Sequence, residues 1–64
     1  MKAFEVVKIL KKNGWHEVHC VGSHHKFKHE SGKVVTFAYH DIQKEVRPDV
    51  LRSLEKQTGL KFKR

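Results

Sequence analysis

Glycine followed at once by a large apolar residue occurs twice in this chain, at Gly14-Trp15 and Gly59-Leu60, and each pair closes a stretch whose apolar residues recur at helical spacing. Before the first, Ala3, Val6, Val7 and Leu10 share one face of residues 2–13, with Glu5, Lys8 and Lys12 on the other. Glycine reaches the left-handed conformation that ends a helix, and the apolar residue after it turns the chain back onto the core. Lys11 and Lys12 place cations in the last turn, where the helix dipole favours them. Before the second pair, Val50, Leu51, Leu54 and Thr58 share a face, and Pro48 suits the first helical position, where its missing N–H costs nothing. A helix at each end leaves only short elements for the middle.

Those middle elements read as strands. Residues 15–21 mix aromatic, β-branched and histidine residues, Lys26 and Lys28 bracket Phe27, and Val34-Val35-Thr36-Phe37-Ala38-Tyr39 has the highest strand propensity in the chain. Gly22-Ser23 is a tight connection between the first two strands, and Glu30-Ser31-Gly32-Lys33 supplies turn chemistry between the second and third. Residues 41–47 are polar and read as a loop. The order is α-β-β-β-α, an α+β fold in which a three-stranded antiparallel sheet carries two helices on one face and leaves the other open. Without repeats or linkers, residues 1–64 form a single domain, of which residues 61–64 read as a frayed basic tail.

A 64-residue chain buries only about 60% of the surface its unfolded form exposes, so the core is small and elaborate machinery is excluded. Cys20 is the one cysteine, which rules out an internal disulfide and every paired-cysteine zinc pattern. No run approaches the roughly 20 apolar residues of a membrane span, and the start lacks the apolar region of a signal peptide. The expectation is a cytoplasmic protein with no membrane partner. Fourteen Lys and Arg against seven Asp and Glu give a formal charge of +7. So dense a positive charge attracts polyanions, and nucleic acid is the first candidate partner.

Alternation within the second strand sorts its histidines: if Phe27 points into the core, His25 points the same way, while His24, Lys26 and Lys28 point outward. An imidazole neutral near pH 7 is a usable general base. RNA offers the proton it would take, because a deprotonated 2′-hydroxyl attacks its own adjacent phosphodiester. Lys26 and Lys28 would then bind phosphate, and consecutive backbone N–H groups at Gly22 and Ser23 would cup one. The proton donor for the leaving oxygen is left open between His25, His29, His40 and water. Six histidines also raise zinc. There is, however, no His-Glu-x-x-His, no cysteine pair and no acidic cluster, and His16 and His19 would face opposite sides of a strand unless a bulge intervened. No metal site and no cofactor are expected.

Leu10-Lys11-Lys12-Asn13-Gly14-Trp15 followed by Gly22-Ser23-His24-His25-Lys26-Phe27-Lys28-His29 resembles the opening of the HicA toxins, the mRNA interferases of HicA–HicB toxin–antitoxin pairs. Val35-Thr36-Phe37-Ala38-Tyr39-His40 is similar to that family's third strand, and the run from Arg47 to Leu60 to its closing helix. Gly-Ser-His before a short basic strand is the most specific piece, and the likeness spans nearly the whole chain. The resemblance implies a fold like the double-stranded-RNA-binding domain, an endoribonuclease that cleaves mRNA and arrests translation, and neutralisation by a HicB-like antitoxin. It also places the family's catalytic histidine on His24. Ala38 stands where the family usually has proline, so the path into the next loop is less constrained and His40 has no assigned role. Trp15 replaces the more usual Phe and conserves packing. The alternative to a nuclease is a non-catalytic RNA-binding module using the same basic face.

Overall fold

The computed structural model describes residues 1–62. Helix α1 (Ala3–Lys12) leads into strands β1 (Trp15–Val21), β2 (His24–His29) and β3 (Val34–Ala38), and helix α2 (Pro48–Thr58) closes the fold. The strands pair antiparallel in the order β1-β2-β3, which makes β2 central. This is the α+β arrangement expected, consistent with a double-stranded-RNA-binding-domain-like fold. Among the described residues no helix is long and apolar enough to cross a membrane.

Both glycine endings form as read: Gly14 has φ 87° and Gly59 φ 75°, and the Gly59 N–H donates to the Glu55 carbonyl at 2.8 Å. Alternation then builds the core. Trp15, Phe27, Val35 and Phe37 come from one face of the sheet and pack against Ala3, Val6, Val7 and Leu10 of α1 and Leu54 of α2. Trp15 is the one buried residue of β1, so the rest of that edge strand lies outside the core.

The polar loop after β3 is held by backbone rather than by side-chain pattern. The Ala3 and Phe4 N–H groups, unpaired within a helix start, donate to the carbonyls of Lys44 and Ile42 at 2.9 Å each. A bridge between Lys2 and Glu45 completes the seam. The frayed tail expected from Lys61 is corrected at Phe62, which is 5% exposed and belongs to the core. After Gly59 the chain folds back against α2, and the Phe62 N–H donates to Glu55 Oε2 at 2.9 Å. The remainder of that expected tail, residues 63 and 64, lies outside the described residues.

A second correction concerns β1. Its register with β2 slips between Glu17 and His19, so Val18 is an extra residue, a β-bulge. His16 pairs with Lys28 and His19 with Lys26, and directly opposed residues share a face. His16 and His19 therefore lie on the same face, not on opposite ones.

Candidate active site

Gly22 has φ 58° while, among the described residues, no non-glycine residue has positive φ, the pattern of a type II′ hairpin turn with glycine first. This two-residue turn makes Val21 and His24 the last pair of the β1–β2 ladder. His24 also pairs with Ala38 of β3, so it sits on the central strand at the turn end of the sheet. A Cβ added at Gly22 would meet nothing within 4 Å, which leaves the turn backbone open to a ligand.

His24, Lys26 and Lys28 are exposed on the open face, opposite the buried Phe27. Same-face residues on a strand recur about every 6.7 Å, so Lys26 lies one such step from His24 and Lys28 two. His19 and His16 flank the lysines from β1, with Thr36 and Val34 across on β3. Among the described residues, no side-chain hydrogen bond or ion pair holds the His24 ring. The imidazole is free to turn toward a bound substrate.

The other histidines are sorted by their partners. His25 lies on the helix-side face, half-buried, with Nε2 3.3 Å from the Tyr39 carbonyl and Nδ1 3.4 Å from Glu17 Oε2. The sheet separates it from His24's surroundings. At His29 both ring nitrogens are engaged: Nδ1 accepts from the Ser31 N–H at 3.0 Å, and Nε2 donates to the Asn13 carbonyl at 3.0 Å. That ring packs on Trp15 at the far end of β2, roughly 17 Å along the strand from His24. Neither suits the role of proton donor beside His24.

His40 is exposed just beyond Ala38 and lines a recess of about 330 Å³ together with Lys44 and Arg47. Because Ala38 is both a wall of this recess and the ladder partner of His24, the recess opens at the catalytic candidate's end of the sheet. The two cations at its rim belong to the loop that the sequence showed only as polar. Their placement comes from the backbone seam with α1. His19 was missed for a different reason, since only the bulge brings it to the open face. It stands diagonally across from His24, where paired strands hold side chains roughly 7–8 Å apart.

Tyr39 closes the opposite face. Its phenol titrates above the ordinary tyrosine range because burial disfavours the phenolate, and the charges of Glu17 and Cys20 push in the same direction.

The geometry thus supplies an unrestrained imidazole, a line of cations and an accessible turn backbone on one face. This set can remove a proton from a hydroxyl of a polyanion and hold the phosphate beside it. Neither the comparison with curated proteins nor the comparison with solved structures found a match. A family model described as the HicA toxin of bacterial toxin-antitoxin systems matches residues 4–60.

Proposed function

We propose, for a chain that belongs to the HicA toxin family of bacterial toxin–antitoxin systems, an endoribonuclease that cleaves mRNA in the cytoplasm without a metal ion, with His24 as general base. His24 takes the proton of a ribose 2′-hydroxyl, and the oxygen attacks the adjacent phosphorus. The bond to the 5′-oxygen breaks, and that oxygen receives a proton from a second group. Lys26, Lys28 and the N–H groups of Gly22 and Ser23 neutralise charge on the phosphate as it develops. The observation that carries this reading is His24 itself, exposed at the end of the central strand with a free ring and two lysines on its own face.

The test is cleavage of a defined mRNA by the purified chain in excess EDTA, beside His24→Ala. Wild type is expected to yield fragments with 2′,3′-cyclic phosphate ends, and the variant to lose roughly 10²–10⁴ in rate. His24 is exposed and makes no core contact, so the variant's thermal unfolding should match wild type. If both proteins bind RNA and neither cuts it, the chain is a non-catalytic RNA-binding module and the nuclease reading fails. Neutralisation by a HicB-like antitoxin fits the same geometry, because a partner laid on the open face covers His24 and the lysines together. A complex that leaves His24 open to solvent would argue against such steric blocking.

A further inference from the structure

We propose that Glu17, Cys20 and His25 form a Zn²⁺ site on the helix-side face of the sheet, and that the ion fastens the bulged edge strand β1 to β2. The proposal does not depend on the ribonuclease reading.

The bulge at Val18 creates the cluster. Residues three apart on a regular strand face opposite sides, but here Glu17 pairs with Phe27 and Cys20 with His25, so both share the face of those partners. One ligand atom from each of Glu17, Cys20 and His25 lies within 4.8 Å of the other two. Around a tetrahedral zinc, neighbouring ligand atoms stand about 3.3–3.7 Å apart. The remaining gap closes by side-chain rotation of the exposed Glu17 and Cys20, with the Cys20 sulfur giving up its 3.5 Å contact to the Gly22 carbonyl.

The hydrogen bonding of His25 points to a cation. Its Nε2 lies 3.3 Å from the Tyr39 carbonyl, an acceptor, so Nε2 carries the hydrogen. In the neutral ring Nδ1 is then a lone pair, and it faces Glu17 Oε2 at 3.4 Å. Such a pair is bridged either by a proton, as in a His25–Glu17 ion pair, or by a metal ion that the neighbouring Cys20 sulfur can join. A carbonyl on the far nitrogen is also the arrangement that orients histidine ligands of metals and raises their basicity. Cys20 supplies the soft donor that a proton bridge between His25 and Glu17 would not need. Sulfur, imidazole nitrogen and carboxylate oxygen together suit Zn²⁺ with a water as fourth ligand, and do not suit Mg²⁺ or Ca²⁺, which require oxygen ligands. On binding, the Cys20 thiol gives its proton to solvent and the thiolate coordinates the ion.

The fold gives such a site something to do. Trp15 is the one residue of β1 in a small core, and small domains commonly add a cross-link or metal where the core is thin. An ion at Glu17, Cys20 and His25 ties β1 to the central strand beyond the bulge. Through the Tyr39 carbonyl it also ties in the chain leaving β3.

The test uses the full chain, stripped of metal and titrated with CoCl₂ and then ZnSO₄. Expected are one Co²⁺ per chain, a thiolate-to-Co²⁺ charge-transfer band with strong tetrahedral visible bands, bleaching by Zn²⁺, and a raised unfolding midpoint with Zn²⁺. Cys20→Ala should abolish the charge-transfer band, and Cys20→Ala and Glu17→Gln should each weaken Zn²⁺ binding by at least about tenfold. Both positions are exposed, so far-ultraviolet circular dichroism should remain that of wild type. His16→Ala, a histidine of the other face, should bind as wild type does. Absence of the thiolate band, or Zn²⁺ affinity unchanged in Cys20→Ala or Glu17→Gln, would overturn the site.

Discussion

The imidazole of His25 lies flat on the ring of Tyr39, with centroids 3.8 Å apart and planes 6° from parallel. Its Nε2 reaches the same residue's carbonyl at 3.3 Å. Because neighbouring side chains on a strand alternate, holding His25 to the helix side holds His24 to the open side. Tyr39 thus positions the proposed base without touching it. Both contacts use the ring and the backbone of Tyr39, not its hydroxyl. Tyr39→Phe is therefore expected to keep wild-type stability within about 0.5 kcal/mol. Tyr39→Leu should lose the ring pair, worth about 0.5–1.5 kcal/mol beyond area burial. Urea unfolding of the two variants checks the contrast.

Tyr39 also sets a pH dependence. Burial raises its phenol above the ordinary value of about 10, with Glu17 and Cys20 adding to the effect. Between the unfolded and folded pKa values the folded state holds the extra proton, so folding stability falls as pH rises through that interval. Below the unfolded value the contribution is fully present. Chemical denaturation of the metal-free protein at pH 9, 10 and 11 should show the decline, and Tyr39→Phe should remove this component. An equal decline in both proteins would assign the effect to other groups.

Gly14 and Gly32 have similar positive φ, 87° and 97°, but differ in their surroundings. A Cβ at Gly14 would stand 3.2 Å from His29 Nε2, whereas at Gly32 it would meet nothing within 4 Å. Alanine at either site incurs backbone strain of about 1–2 kcal/mol. At Gly14 it must also displace an imidazole bonded to the Asn13 carbonyl at 3.0 Å and packed on Trp15. Gly14→Ala should therefore be the more destabilising of the two in thermal melts. Equal losses would show that His29 gives way freely.

What sequence could reveal here depends on how local each feature is. The helix ends are announced by Gly14 and Gly59, and the faces of β2 by the alternation around Phe27, because both follow from a few adjacent residues. The bulge at Val18 belongs to two strands at once. Since every residue of β1 after Trp15 is exposed, there was no buried alternation in that strand for the slip to interrupt. Glu17, Cys20 and His25 consequently looked unrelated, and His16 and His19 looked opposed. The loop that brings Lys44 and Arg47 beside Ala38 is anchored by carbonyls to the N–H groups of Ala3 and Phe4, and backbone groups are the same in every sequence. Phe62 lies beyond a glycine stop and a basic residue, and its place in the core is a long-range contact.

The bulge also bears on the missing proton donor. With His25 behind the sheet and His29 bound at both nitrogens, the candidates near His24 are His19, diagonally across the ladder, and His40, beyond Ala38. His19 is exposed on the same face as His24, at a side-chain separation of roughly 7–8 Å, which leaves room for a phosphodiester between the two rings. It is expected to protonate the leaving 5′-oxygen, so His19→Ala should lower kcat roughly 100-fold while the unfolding midpoint stays put. A general acid must be protonated to act. An RNA ester with an aryl leaving group needs no proton, so it should restore His19→Ala to near wild-type rate and leave His24→Ala impaired. If His40→Ala shows this signature instead, the acid approaches from the recess beside Ala38, and the bulge serves only the helix-side face.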